Sequence, residues 1–234
     1  MPSCKIPSPV CQNEIGIKIC GLTRVDEAVA CADLGVDALG CVFYAPSKRA
    51  VSDACARAIA DAVTGRIAVV GVFVDADFDH IMQHVTGCKL TAVQLHGRET
   101  PRLVQRLGGE GLPVIKALFV DGQPALESVA EYDAAAYLVE CGQGKLPGGN
   151  ALAWNWGDAR PLGERRPLVL AGGLSAANVA RAVAAARPDA VDVSSAVEHS
   201  PGRKDIVKLK RFVTAVRQCP SLNVTRTVFT NRNP

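Results

Sequence analysis

Short apolar runs alternate with helical apolar stripes along this chain from residue 15 to residue 217. Ile15 to Ile19 reads as a strand that stops at Cys20. Gly21 then supplies a turn, and Thr23 with Asp26 three residues on forms a capping pair for a helix. That helix sets Val25, Ala28, Val29 and Ala32 on one face. Val36 to Phe43 is a second strand, after which Ser52 caps a helix that turns Ala56, Ile59, Ala60 and Val63 inward. Ile67 to Val74 is almost wholly apolar, as expected of a strand covered on both faces. Phe78, Ile81, Met82 and Val85 form the next stripe. Ala92 to Leu95 is a fourth strand, and Thr100-Pro101 opens a helix with proline at its first position.

The alternation continues through Val114 to Phe119, with a short helix near Ala125 to Glu131, and then Ala135 to Val139. A Gly-rich loop from Gly142 to Ala151 and a segment holding Trp154 and Trp156 follow. Leu168 to Ala171 is a seventh strand, and Ser175 stands where it can cap the helix carrying Val179 and Val183. Ala190 to Val193 is an eighth, and Ile206, Leu209, Val213 and Val216 line a last helix. Eight such units, without an interruption large enough for a second domain, are what a closed (β/α)8 barrel, the TIM barrel, requires. A doubly wound α/β sheet is the rival, but it would usually carry a GxGxxG turn after its first strand, and none is present. The expected organisation is an irregular lead over residues 1–14, a single barrel over 15–217, and a polar tail over 218–234, frayed or lying on the surface.

Composition narrows the function classes. A chain of 234 residues with 48% hydrophobic content suits one barrel domain. Its 26 basic and 23 acidic residues leave a net charge of +3, which does not point to nucleic acid. No run of 18 apolar residues exists, and Met1 to Gln12 lacks a signal-peptide centre. The expectation is a soluble cytoplasmic protein without a membrane partner. Nine cysteines make an odd count. None forms a CxxC pair, so zinc and disulfide frameworks are poorly supported and reduced thiols fit best. Asn223-Val224-Thr225 matches a glycosylation sequon, which means little in a cytoplasmic protein.

Candidate chemistry gathers at the carboxyl ends of the strands, the edge where α/β folds carry their sites. Cys20 there can be a nucleophile, a base or a metal ligand, or an ordinary buried thiol. Gly172-Gly173 after strand seven and Ser194-Ser195-Ala196 after strand eight fall where barrels commonly hold a phosphate on backbone N–H groups. A plain tight turn is the other use of the glycines. Ser47-Lys48-Arg49 after strand two is a solvated basic loop or, through Arg49, a fork for a carboxylate. Gln94 and His96 close strand four, with His96 either structural or facing substrate. Lys116 lies within strand five, where a Schiff-base lysine is conceivable. Glu140 and Asp192 end strands six and eight, and either can act as an acid or bind a sugar hydroxyl.

Together these residues resemble the phosphoribosylanthranilate isomerase family of tryptophan biosynthesis, from about Gly16 to Arg217. The resemblance is carried by Lys18-Ile19-Cys20-Gly21-Leu22-Thr23, Ser47 to Ser52, Val70 to Val74, Gln94-Leu95-His96-Gly97, Pro113 to Lys116, Leu170 to Leu174 and Val191 to Glu198. It implies an Amadori rearrangement of N-(5-phosphoribosyl)anthranilate to 1-(2-carboxyphenylamino)-1-deoxyribulose 5-phosphate, without metal or cofactor. It also implies a small phosphoribosyl substrate as the partner and a monomer or homodimer. Under it, Cys20 is the base and Glu140 the acid. Arg49 meets the anthranilate carboxylate, and His96 and Asp192 contact the substrate. Gly172, Gly173, Ser194, Ser195 and Ala196 hold the phosphate.

The chain departs from the family pattern in identifiable places. The acid position is usually Asp and reads Glu140. The following loop, usually Gly-Gly-Thr-Gly and then Phe-Asp-Trp, reads Gly148-Gly149-Asn150-Ala151 and Trp154-Asn155-Trp156. The phosphate turn, usually ending in Gly, ends in Ala196. These departures leave a second class open, a phosphosugar-binding barrel with weak or lost turnover. A third reading, the histidine-pathway Amadori enzyme on the same scaffold, uses paired aspartates rather than a cysteine.

Overall fold

The computed structural model describes residues 14–142, 153–220 and 226–229. Residues 1–13 of the irregular lead, the Gly148 to Ala151 departures and the Asn223 sequon therefore lie outside the described residues. Eight parallel strands close into a barrel in chain order, with β8 returning to β1. They are β1 (Gly16–Cys20), β2 (Ala38–Val42), β3 (Ala68–Phe73), β4 (Ala92–Leu95), β5 (Val114–Phe119), β6 (Ala136–Glu140), β7 (Leu168–Leu170) and β8 (Ala190–Val193). The single TIM barrel read from the alternation is the fold. Strand bounds shift by a residue or two, so that Cys20 and Glu140 are themselves the last residues of their strands.

The outer helices are α1 (Val25–Asp33), α2 (Asp53–Ala62), α3 (Phe78–Cys88), α4 (Pro101–Gly109), α5 (Arg160–Gly163), α6 (Val179–Ala186) and, after β8, α7 (Ile206–Arg217). Unit five has only a 3-10 turn, Leu126–Glu131, matching the short helix expected there. Ser52 and Thr100 cap α2 and α4 through their side chains, accepting from the N–H groups of Cys55 and Leu103. Two expected caps are not made. Thr23 instead donates to the Gly202 carbonyl, leaving Arg24 to open α1 with no side-chain cap. Ser175 is held by the Asn178 side chain, and α6 starts only at Val179.

The inner face of α1 is also rotated from the expected stripe. Glu27, Ala28 and Cys31 are buried, while Val25 is 36% exposed. Glu27 is drawn inward because its carboxylate accepts from the Arg203 side chain and the Lys204 N–H. Those partners sit on an antiparallel hairpin, β9 (Glu198–Ser200) with β10 (Arg203–Lys204), inserted between β8 and α7. Ile206, expected to face inward on α7, is 44% exposed, and Phe212 fills the core beside Leu209, Val213 and Val216.

Strand alternation divides the core in two. Outward-facing residues such as Ile17, Leu39, Val93, Tyr137 and Val191 pack under the helices, whereas Ala38, Val70, Ile115, Leu138 and Val169 fill the barrel interior. β2, β3, β4, β6 and β8 each begin with alanine, and β1 begins with glycine. That small-residue rim at the amino-terminal end leaves room that Val228 and Phe229 fill. Part of the polar tail is thus packed against the barrel floor, where Arg226 also pairs with Asp189 at 3.2 Å.

Candidate active site

Because side chains alternate along a strand, Lys18 and Cys20 share the interior face of β1 while Ile17 and Ile19 pack outward. The chain turns sharply after Cys20: Gly21 has φ 78°, and the N–H groups of Gly21 and Leu22 both donate to the Gly40 carbonyl, at 2.9 and 3.0 Å. A side chain is excluded at Gly40 itself. A Cβ there would lie 2.7 Å from the Cys20 Sγ and 3.2 Å from the Lys18 Nζ. β8 sets Asp192 in register with Lys18, and Lys18 Nζ donates to Asp192 Oδ2 at 2.9 Å.

Burial pushes the Cys20 thiol above its ordinary value, with Lys18 pulling the other way. Asp192 is likewise raised by burial, opposed by Lys18. Lys18 would be lowered by burial alone, but the neighbouring Asp192 and Cys20 together more than offset this and hold it raised. Asp192 Oδ1 is buried without a hydrogen-bond partner among the described residues, an acceptor that calls for a donor in the barrel mouth.

A second chain of groups crosses the mouth from β4 to β6. The Gln94 amide donates to His96 Nδ1 at 2.9 Å, which fixes the imidazole proton on Nε2. His96 Nε2 donates to Glu140 Oε1 at 3.0 Å, leaving Oε2 for another partner. Gln94 Oε1 is the other buried acceptor without a partner among the described residues. Glu140 and His96 are near enough to Asp192 to act on it electrostatically, so the two chains converge.

The rim is built by β7, β8 and the hairpin. Gly172 and Gly173 adopt φ 83° and 66°, a region L side chains rarely enter. At Gly172 a Cβ would lie 2.9 Å from the Trp154 Nε1 and 3.3 Å from the Glu140 Cβ. The two indoles pin this turn, Trp154 donating to the Ala171 carbonyl at 3.0 Å and Trp156 to that of Gly172 at 3.2 Å. Ser195 and Ala196 lie in a short 3-10 turn after β8, and the Ser194 hydroxyl donates to the Cys20 carbonyl at 3.0 Å. Lys204 Nζ donates to that same carbonyl at 2.6 Å, to the Ser194 carbonyl at 3.2 Å and to Glu198 at 2.9 Å.

Cys20, His96, Glu140 and Asp192 are thus gathered at one mouth. Arg49 reaches it with its stem over Gly21, but its fork is bound by Glu198 at 2.8 and 2.7 Å rather than left open. Lys116 does not reach the mouth. It points to the outer layer and pairs with Glu99 at 2.8 Å, which removes the Schiff-base option. Lys18, Glu198 and Lys204 were missed from sequence. For Lys18 the signal was present: two residues before Cys20 in a strand means the same face.

An interior thiol, an imidazole and two carboxyls at the carboxyl ends of barrel strands equip the mouth for proton transfers, the chemistry of the barrel isomerases. Comparison with known proteins narrows that class. The family model described as N-(5'phosphoribosyl)anthranilate (PRA) isomerase matches residues 17–215. A relative from Desulfatibacillum aliphaticivorans, named N-(5'-phosphoribosyl)anthranilate isomerase, is 50% identical over 87% of this chain and 94% of its own length. The crystal structure of the phosphoribosyl anthranilate isomerase from Thermus thermophilus superposes with a TM-score of 0.79 at 35% identity, covering 86% of this chain and 98% of that one. A further isomerase structure, in complex with reduced 1-(o-carboxyphenylamino)-1-deoxyribulose 5-phosphate, gives a TM-score of 0.75 at 35% identity, with the same coverage. The chain belongs to the phosphoribosylanthranilate isomerase family.

Proposed function

We propose that this chain catalyses the Amadori rearrangement of N-(5-phosphoribosyl)anthranilate to 1-(2-carboxyphenylamino)-1-deoxyribulose 5-phosphate, with Cys20 as base and Glu140 as acid. The observation that carries the reading is the pair of converging interior chains, Cys20–Lys18–Asp192 and Gln94–His96–Glu140, in a member of this family. They offer a base and an acid from different arcs of the barrel, as a sugar attacked at two atoms requires.

Glu140 gives its proton from Oε2 to the ribose ring oxygen while Oε1 stays on His96. The C1–O bond opens and an iminium forms between C1 and the anthranilate nitrogen. The Cys20 thiolate then takes the proton from C2, and the resulting enolamine tautomerises to the C2 ketone. Asp192 Oδ1 and Gln94 Oε1, the buried acceptors without partners among the described residues, receive sugar hydroxyls. The turns at Gly172-Gly173 and Ser194 to Ala196 take the phosphate on backbone N–H groups, and Arg49 takes the anthranilate carboxylate by exchanging part of its fork from Glu198.

The chain works in the cytoplasm, as a monomer or homodimer that light scattering distinguishes. No helix among the described residues is long and apolar enough to cross a membrane. Cells lacking this isomerase and carrying the chain should grow without tryptophan. Failure to grow, with the purified chain still binding product, would favour a phosphosugar-binding barrel instead.

A further inference from the structure

The roles above use Cys20 and Asp192 but leave the lysine between them without one. Lys18 is fully buried in the barrel interior, an unusual place for a long cationic side chain. Its Nζ lies 2.9 Å from Asp192 Oδ2. It also lies 3.2 Å from the point above Gly40 from which the Cys20 Sγ is 2.7 Å away, so ammonium and thiol meet over one glycine. An ammonium has three donors, of which Asp192 Oδ2 takes one. We propose that Lys18 is the positioning residue that favours the thiolate form of the Cys20 sulfur against the pull of burial, with Asp192 fixing the ammonium in place. The proposal rests on the reading of Cys20 as the base.

Among the other groups near Cys20, Lys204 also favours the thiolate, but less than Lys18 does. Lys204, from the hairpin, spends its donors on the Cys20 and Ser194 carbonyls and on Glu198. Arg49, from the loop after β2, is forked onto Glu198. The Cys41 thiol on β2 is pushed far up by burial and stays neutral. Asp192, from β8, acts against the thiolate. Burial does the same, and a buried thiol with no cation beside it is a poor source of thiolate at neutral pH. Once Cys20 has taken the C2 proton, Lys18 and Asp192 remain paired and no buried charge is stranded.

The test follows alkylation of Cys20 by iodoacetamide across about pH 5 to 10, read from the mass of the Cys20 peptide, beside steady-state kinetics. In Lys18→Met the alkylation midpoint should rise by about one unit or more, and kcat near neutral pH should fall at least ~10-fold with KM within about twofold. In Asp192→Asn the midpoint should fall, since an anion is removed and the ammonium is left to the sulfur. A structural role for Lys18 gives no such opposite signs. Lys18→Arg keeps the cation and should stay near the wild-type midpoint. An unmoved midpoint in folded Lys18→Met overturns the proposal, as does a midpoint that rises or stays put in Asp192→Asn. The second criterion stands even if Lys18→Met does not fold. Wild-type turnover in Cys20→Ser would overturn the base reading itself, while the midpoints would still report whether Lys18 governs the sulfur.

Discussion

Shortening Glu140 by one methylene tests the mouth most sharply. Its backbone is fixed by pairing with Phe119 in β5, and its Cβ lies 3.3 Å from the point a Cβ on Gly172 would occupy. An aspartate in its place draws the carboxyl back by about 1.5 Å, one C–C bond. The 3.0 Å contact with His96 Nε2 then opens to roughly 4 Å or more, too long for a hydrogen bond. Losing a hydrogen bond of this kind costs about 0.5–1.5 kcal/mol of stability. A displacement on the order of 1 Å at a reacting group costs about 10²-fold in rate. We therefore expect kcat to fall about 100-fold in Glu140→Asp, with KM within a few fold, because the loss lies in the chemical step. Glu140→Gln keeps the length and the contact with His96 but has no proton to give, and should lose ~10²–10⁴-fold. Single-turnover and steady-state rates on the same preparations separate chemistry from binding. An aspartate variant at or above the wild-type rate would refute the fit argued here, and a fully active glutamine variant would remove Glu140 as the acid.

Inorganic phosphate should raise the melting temperature and compete with substrate, by about 2.7 kcal/mol of stabilisation at a hundredfold excess over Kd; a melting curve indifferent to millimolar phosphate counts against the rim turns as its site. Glu198 would be raised by burial alone, but Arg49 and Lys204 more than offset this and hold its carboxyl below the ordinary value. The folded state therefore binds fewer protons there than the unfolded one, and this stabilisation is present at neutral pH and lost as pH falls through the lowered value. Glu198→Gln should lower stability at pH 7 by on the order of 3 kcal/mol and flatten the acid limb of a melting-temperature profile; an unchanged limb would deny Glu198 that role. Phe229→Ala should cost about 1–2 kcal/mol, since the ring is only partly buried, with kcat unchanged because it lies at the barrel end away from Cys20. No change in chemical denaturation would mean that the tail does not seal the floor.

How far the sequence could be read follows from the length scale of each feature. The barrel was legible because every strand and most helices announce themselves within a dozen residues, as Ile67 to Val74 and the Thr100-Pro101 start do. Cys20 and Glu140 were legible at strand ends and Asp192 one residue before one, and period-two alternation carries each to the same face as the interior residues of its strand. Caps failed where a distant partner intervened: Thr23 gave its hydroxyl to Gly202, 179 residues away. The same remoteness hid Glu198, which organises Arg49 across 149 residues, and the pairing of Lys18 with Asp192 across 174. Lys116 and Lys18 make the contrast plain. Each sits in a strand among apolar neighbours, and hydropathy cannot tell them apart. Parity can: Lys18 is even-spaced from Cys20 and enters the lumen, whereas Lys116 falls between Ile115 and Ala117, both interior, and is turned out to Glu99. Counting residues from a known interior position thus assigns a buried lysine to the reactive mouth or to the outer layer, a distinction its apolar neighbours do not carry.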